Sequence, residues 1–182
     1  VAANGSQQYT IHVAAGQIMS IDLQSTAQLE TSVRGENGTV LLPTGNNGFF
    51  RSVVPTSQDY IITLTGRPQA TAYSMTVTVP VRISFASGVT SATVQGNLAP
   101  NAIGHYVLGG SAGQTMTIQT STTNGQIVLL VYGADRTALI PGHSRAKSFT
   151  GTLPSTQDYF IDLESVGSAA ASFSMTVTIQ PR

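Results

Sequence analysis

The sequence contains no cysteine and no tryptophan. Without cysteine there is no disulfide, no cysteine-ligated metal ion and no thiol nucleophile, and the cellular compartment stays open. Aromatic residues make up only 7% of the chain. A surface that binds carbohydrate through a platform of aromatic rings is therefore not favoured.

Charged residues are also scarce, at 9% of the 182 residues, and the formal net charge is zero. No basic run is present, so a nucleic-acid partner lacks its electrostatic footprint. No apolar run approaches the roughly 20 residues that a membrane-spanning helix needs. Disorder is not expected, because 41% of the residues are hydrophobic and follow a regular pattern. Solubility must come from Ser, Thr, Asn and Gln.

The sequence begins with Val1 rather than Met and contains no signal-peptide pattern. We interpret it as a processed mature chain or a trimmed part of a longer one. Two triplets, beginning at Asn4 and Asn37, match the N-glycosylation sequon. Glycosylation of these two residues is a hypothesis that fits an extracellular protein.

Nearly the same sequence occurs twice. PTSQDYIITL at residues 55–64 returns as PSTQDYFIDL at residues 154–163, and YSMTVTV at residues 73–79 returns as FSMTVTI at residues 173–179. A period of this length corresponds to one small domain per copy. We therefore predict two domains, residues 1–80 and 81–182. A catalytic site would have to occur twice or be confined to one copy, which favours a binding or structural module.

Apolar and polar residues alternate with a period of two in both copies, as in half-buried β-strands. In the first copy the apolar positions of two such runs are Tyr9, Ile11 and Val13, then Tyr73, Met75, Val77 and Val79. Thr and Val are favoured in strands, and Gly, Pro and Asn cluster between the runs. The pattern predicts an all-β fold of two tandem antiparallel β-sandwich domains, jelly-roll-like in topology.

A leading segment, residues 80–97, precedes the second copy and contains two predicted strands at residues 83–85 and 92–96. The first copy has no counterpart in the sequence, so it is predicted to lack these strands. A sheet without its outer strand exposes backbone groups that can accept a strand from another chain. Repeated head to tail, such contacts build a filament. A longer tandem array, or a first domain that is simply shorter, would also explain the difference.

Three motifs occur in a common order: AGQxMxI at residues 15–21 and 112–118, LPxTxDYxIxL at residues 153–163, and SMTVTI at residues 174–179. Together they resemble the bacterial pre-peptidase C-terminal (PPC) domain, a jelly-roll-like sandwich attached to secreted enzymes and surface proteins. The resemblance implies secretion, a non-catalytic accessory role and, in some members, polymer binding or calcium. Many members carry an aspartate before the strand that here spans residues 126–132. Neither copy has it, so no cofactor is expected.

Catalytic and metal-binding residues are not indicated. His12 and His105 lie on polar phases of their strands, His143 lies in a variable loop, and no Gly-x-Ser-x-Gly elbow is present. Asp135 stands alone in a predicted hairpin turn, whereas calcium requires six to eight oxygen ligands. The sequence therefore predicts solvated surface histidines and a protein that is not an enzyme.

The pairs Asp59–Tyr60 and Asp158–Tyr159 are the only carboxylate positions that the copies share within a matched block. We predict a structural role for them. Each Asp would accept backbone N–H groups of the turn that it leaves. Each Tyr would face the core and bond its hydroxyl to nearby backbone, as in a tyrosine corner.

The copies differ most on one strand. Its outward positions in the second copy are apolar, namely Val128, Leu130 and Tyr132, and Phe160 joins them on another strand. An outward apolar face is uncommon without a cover. Either another molecule or another part of this chain would cover it. Phe49, Val53 and Ile61 are predicted to form a weaker counterpart in the first domain.

These observations favour a secreted structural protein, either the subunit of an extracellular filament or part of a cell-surface layer. It would assemble with copies of itself by strand addition and apolar sheet contacts. An accessory domain pair that binds a polysaccharide or protein polymer for an attached enzyme is the alternative. A third class, a protein inhibitor of an enzyme, would need a protruding loop, for which residues 143–147 are the only candidate.

Overall fold

The structure is a computed structural model that describes residues 1–140 and 144–180. His143 lies outside the described residues. The described chain forms strands and turns, and none of it is a helix long and apolar enough to cross a membrane. It divides into two compact units, Val1–Val79 and Pro80–Arg182, one residue away from the predicted boundary.

The first unit is built from two sheets of strands that bury alternate side chains. One sheet has the order β1-β6-β3-β4 and the other the order β5-β2-β7. The strands are β1 (Ser6–Val13), β2 (Ile18–Ser25), β3 (Leu29–Gly35), β4 (Val40–Gly45), β5 (Phe49–Val53), β6 (Gln58–Gly66) and β7 (Tyr73–Thr78).

The second unit repeats this arrangement and adds the leading segment. Its sheets have the orders β12-β14-β10-β8 and β13-β11-β15-β9. The strands are β8 (Val81–Arg82), β9 (Ser91–Leu98), β10 (Ile103–Gly110), β11 (Thr115–Asn124), β12 (Ile127–Gly133), β13 (Ser148–Thr152), β14 (Gln157–Ser165) and β15 (Ala171–Gln180).

Almost every connection passes from one sheet to the other. In the first unit only β3 and β4 are consecutive strands of one sheet, and β9 to β15 alternate strictly between the two sheets. This crossing pattern is typical of a jelly roll. The predicted all-β fold of tandem sandwiches is confirmed. One pair, β8 with β10, is parallel rather than antiparallel.

Each unit has its own hydrophobic core, formed by the inward rows of its longer strands. On β12, for example, Ile127, Leu129 and Val131 are buried while the residues between them are half-buried or exposed. The first core is centred on Met19, Ile21, Leu29, Val33, Tyr60, Ile62 and Leu64, and the second on Met116, Ile118, Leu129, Tyr159, Ile161, Met175 and Val177. The alternation with a period of two in the sequence therefore reflects the buried face and the outward face of each strand.

Candidate functional site: the open side of the first unit

The AGQ sequences shared by the two copies build a turn rather than a binding site. The Gln17 side-chain oxygen accepts the backbone N–H of Ala14, and Gln114 does the same for Ser111. The intervening Gly16 and Gly113 adopt φ angles of 81° and 82°, which favour glycine. These shared residues are explained by turn geometry alone.

A second pair of turns is held by a glutamine in each unit. The Gln58 side-chain oxygen accepts the backbone N–H of Asn37, and that of Gln157 accepts the backbone N–H of Asp135. Within each turn the Asn37 or Asp135 side chain in turn accepts an N–H two residues further on. That hydrogen bond lowers the pKa of Asp135 below its ordinary value. The sequon residue Asn37 thus stabilises a turn, and so does Asp135, which was predicted to lie in one.

Tyr60 and Tyr159 are fully buried, and each hydroxyl donates to the backbone carbonyl four residues earlier, at 2.8 and 2.6 Å. The aspartates that precede them have another role than the predicted one. Asp59 pairs with His12, and Asp158 accepts two hydrogen bonds of 3.0 Å from Arg82. The aspartates therefore form ion pairs with side chains of neighbouring strands rather than the predicted contacts with the turn that they leave.

The described histidines are each held by a carboxylate on the neighbouring strand. His12 Nδ1 lies 2.8 Å from Asp59 Oδ1, and His105 Nδ1 lies 2.7 Å from Asp162 Oδ1. Tyr132 donates its hydroxyl to the other oxygen of Asp162 at 3.2 Å. The histidines therefore have cross-strand partners that the sequence did not indicate, since the register of strands distant in sequence cannot be read from it.

The apolar outward strand of the second unit lies where it was predicted. Val128 and Tyr132 are half-buried, and Leu130 is 40% exposed. Phe160 lies on the same face but is only 3% exposed, because the Tyr132 ring stacks on it at 5.4 Å between centroids. Leu130 is thus the exposed member of this predicted interface, whereas Phe160 belongs to a covered layer.

The weaker counterpart predicted in the first unit does not form one surface. Phe49 and Val53 lie on β5, whereas Ile61 lies on β6 in the opposite sheet. Their outward sides face away from each other, so the prediction of a shared patch was wrong. Arg51 lies over the Phe49 ring at 5.2 Å in a cation–π contact.

The leading segment closes one side of the second unit. β8 pairs with β10 in one sheet, and β9 pairs with β15 along eight residues in the other. Ile83 and Leu98 enter the core, where they are 7% and 8% exposed, and Phe85, Ala92 and Val94 pack against it. A single segment thus covers the edges of both sheets.

The same side of the first unit is open. β1 and β7 occupy the positions of β10 and β15, yet within the described chain each is the outermost strand of its sheet. Met75 and Val77, on β7, are half-buried, while the equivalent Met175 and Val177 are 0% exposed. The difference reflects the absence of a covering strand beside β7 among the described residues, since the sequences SMTVT of β7 and β15 are identical.

Aromatic residues mark the open side. Tyr9 on β1 is 37% exposed, whereas its counterpart Tyr106 is 9% exposed and packs edge-to-face on Phe173. In the first unit the Tyr9 and Tyr73 hydroxyls bond to each other, and this bond raises the pKa of Tyr73. In the second unit burial raises the pKa of Tyr106. The aromatic pair is covered in one unit and in contact with solvent in the other.

A second surface is the outer face of the sheet β13-β11-β15-β9, which carries hydroxyl and amide side chains without a charge. Thr93 and Thr176 bond through their hydroxyls at 2.9 Å, and Thr150 donates to Thr117 at 3.3 Å. The row continues through Ser91, Gln95, Asn97, Thr115, Gln119, Ser121, Ser148, Thr152, Ser172, Ser174 and Thr178.

Among the described residues, no three His, Asp or Glu side chains form a group that could hold a metal ion. Asp135 already uses a carboxylate oxygen for the backbone of its own turn. Both sequon residues, Asn4 and Asn37, are exposed in turns of the first unit.

Comparison with known proteins yields neither a matching family model nor a matching curated relative. Among solved structures, the chain is similar to PliG of Aeromonas hydrophila, a periplasmic inhibitor of g-type lysozyme. That similarity has 26% identity and a TM-score of 0.47, over 56% of this chain and 96% of PliG. PliG of Salmonella Typhimurium is similar at 19% identity and a TM-score of 0.44, over 56% of this chain and 97% of that protein.

A further solved structure extends over both units. This is the CUB1-EGF-CUB2 segment of human MASP-1/3, at 10% identity and a TM-score of 0.33, covering 98% of this chain and 94% of that one. All these TM-scores lie below 0.5, too low to transfer a function or a partner to this chain.

Proposed function

We propose that this protein is a non-catalytic structural subunit that assembles with other polypeptide chains by strand addition at the open side of its first unit. The observation that carries the proposal is the contrast between β7 and β15. The same SMTVT strand is covered in one unit and outermost in the other. Strand addition satisfies the free backbone groups of such an edge with a partner's backbone.

The edge at β7 lacks the features that normally prevent strand addition. Exposed edges in natural sheets are protected by charged side chains, proline or bulges. β7 has none of these between Tyr73 and Thr78, and its pairing with β2 is regular. On the opposite sheet, the outermost β4 contains Pro43 and pairs irregularly. The molecule therefore protects one edge and leaves another available.

A contact between the open side of one molecule and a strand of the next joins unlike surfaces. Repetition of such a contact does not close and produces a filament or an extended layer. Leu130 on the outer face of β12 offers an additional apolar contact. The PPC-like motifs and the exposed sequons support a secreted, extracellular or cell-surface location.

The test is to measure the mass of the purified chain by light scattering across a range of concentrations and to examine it by electron microscopy. Thr76→Lys places a charge at the exposed middle of β7 and should leave monomers. Thr44→Lys, the same change on the protected edge strand β4, is the matched control and should assemble like the wild type. A wild type that stays monomeric throughout, or a Thr76→Lys variant that assembles normally, would contradict the proposal.

An accessory domain that binds a neutral polymer is the second candidate. The uncharged hydroxyl face of the sheet β13-β11-β15-β9 favours it, because neutral hydroxyl groups match those of a polysaccharide. Co-sedimentation with insoluble cellulose or chitin tests this function. Binding that survives Thr76→Lys but is lost on Gln119→Lys would support it, and absence of binding to both polymers would count against this polysaccharide version.

A further inference from the structure

The second unit shows what kind of segment would fill the open side of the first. We propose that the strand accepted there has the chemistry of residues 80–98. This inference rests on the proposed strand addition and specifies its partner. The basis is that the two acceptor sites have nearly the same sequence and that the second one is filled by its leading segment in the structure.

The acceptor strands agree residue by residue. In the second unit Val94 lies opposite Met175 and Ala92 lies opposite Val177, with their side chains directed into the core. The first unit presents Met75 and Val77 at the corresponding positions, half-buried and directed towards its own core. A donor strand must therefore place small apolar residues at alternate positions and polar residues between them.

One donor position is restricted to a very small residue. Gly96 lies opposite Phe173, and a Cβ atom added to Gly96 would lie 3.0 Å from the Phe173 ring. Tyr73 stands at the equivalent position of β7. We therefore expect the donor to carry glycine opposite Tyr73, so that the aromatic ring can lie against its backbone.

The first unit also offers an equivalent position for the part of the leading segment that contains β8. β8 runs beside β10 and leads into Ile83, which is 7% exposed within the core. Arg82 makes its two hydrogen bonds with Asp158. In the first unit the equivalent Asp59 is paired with the exposed His12, so a donor arginine would compete with that imidazole. The donor is thus expected to contain Arg and Ile ahead of its long strand.

The experiment adds a synthetic peptide of residues 80–98 to the isotope-labelled full-length chain and follows backbone NMR signals and amide exchange. Binding should shift signals of β1 and β7 and slow amide exchange along β7 by at least tenfold at saturation. Signals of β10 and β15 should not change, because their own leading segment already covers them. Thr76→Lys in the protein should weaken binding at least tenfold.

Two variant peptides make the result specific. Val94→Asp puts a charge into the core and Gly96→Val collides with the aromatic ring, so each should weaken binding at least tenfold. Gln95→Glu changes a residue that faces solvent and should bind like the parent peptide. Equal binding of all peptides, absence of binding at millimolar concentration, or changes at β15 instead of β7 would overturn the inference.

The outcome is separable from that of the proposed function. If the chain assembles but the peptide does not bind, the partner strand has a different chemistry and only this inference fails. If the peptide binds as described while the chain stays monomeric, this inference stands and the assembly proposal fails.

Discussion

The contrast between Met75 and Met175 gives a direct measure of how open the first unit is. These methionines occupy the same position in SMTVT, and Met175 is 0% exposed whereas Met75 is half-buried. Truncation of a fully buried methionine to alanine costs about 2–5 kcal/mol. We expect the free-energy cost of Met175→Ala to lie in that range. Met75→Ala should cost about 1–2 kcal/mol, because part of its side chain already contacts water.

The assay is native-state hydrogen exchange, read separately for the amides of β2 and β11, the strands that pair with β7 and β15. Exchange resolves the opening free energy of each unit, which a single global unfolding curve would merge. The internal control is Ile→Val at Ile21 and Ile118, which are 1% and 0% exposed. Both changes should cost about 1 kcal/mol.

Equal losses for Met75→Ala and Met175→Ala in dilute monomer would refute the reasoning. Such a result would mean that the side chain on β7 is as well covered as that on β15, so that the first unit has no open side. A cost for Met75→Ala that rises with protein concentration would instead show that assembly covers the edge.

Three other outcomes are expected. Tyr60→Phe and Tyr159→Phe should each destabilise their own unit by about 1–2 kcal/mol, measured by hydrogen exchange, since the first removes one hydrogen bond from a buried corner and the second removes two. Gly133→Ala should cost about 1–3 kcal/mol in the same assay, because its Cβ would lie 2.3 Å from a glutamine amide nitrogen. The pKa of Asp135 is lowered from its ordinary value of 3.8, so its ionised carboxylate stabilises the folded state fully above that pH. This stabilisation is lost as the pH falls through the lower folded-state pKa. Asp135→Asn should remove that part of the acid sensitivity and retain the turn seen at Asn37, which an acid titration of stability will check.

Much of the fold follows from the sequence because a buried sheet face imposes a strict period of two. The inward rows on β12 and β15 were predicted correctly, and so was the strand at residues 92–96, which lies within β9. The strand predicted at residues 83–85 was wrong, because β8 ends at residue 82 and the chain there turns into the core. The open side could also be anticipated, because the first copy has no residues matching that segment. What made this possible was the internal duplication, which allows a unit with a leading segment to be compared with one that has none among the described residues.

The errors concern contacts between strands far apart in sequence. The sequence shows that Phe49 and Ile61 point outward but not that they belong to opposite sheets, and so a common patch was inferred wrongly. The role of Asp59 and Asp158 was missed for the same reason, since their partners come from other strands. The burial of Phe160 depends on the Tyr132 ring that lies across it. Register and sheet assignment are properties of the assembled unit, and alternation alone does not determine them.

The identity of the SMTVT strands also has a kinetic consequence. β9 ends at residue 98, whereas its partner β15 begins at residue 171. At typical synthesis rates of 5–20 residues per second, β15 emerges roughly 4–15 seconds after β9. Throughout that interval β15 is not yet available. By contrast β7, which lies just ahead of β9 in the chain, already offers the same SMTVT sequence. We therefore expect folding of the second unit on the ribosome to include a competition between an early partner and a late one, with the rate of translation setting how long the early partner has the advantage.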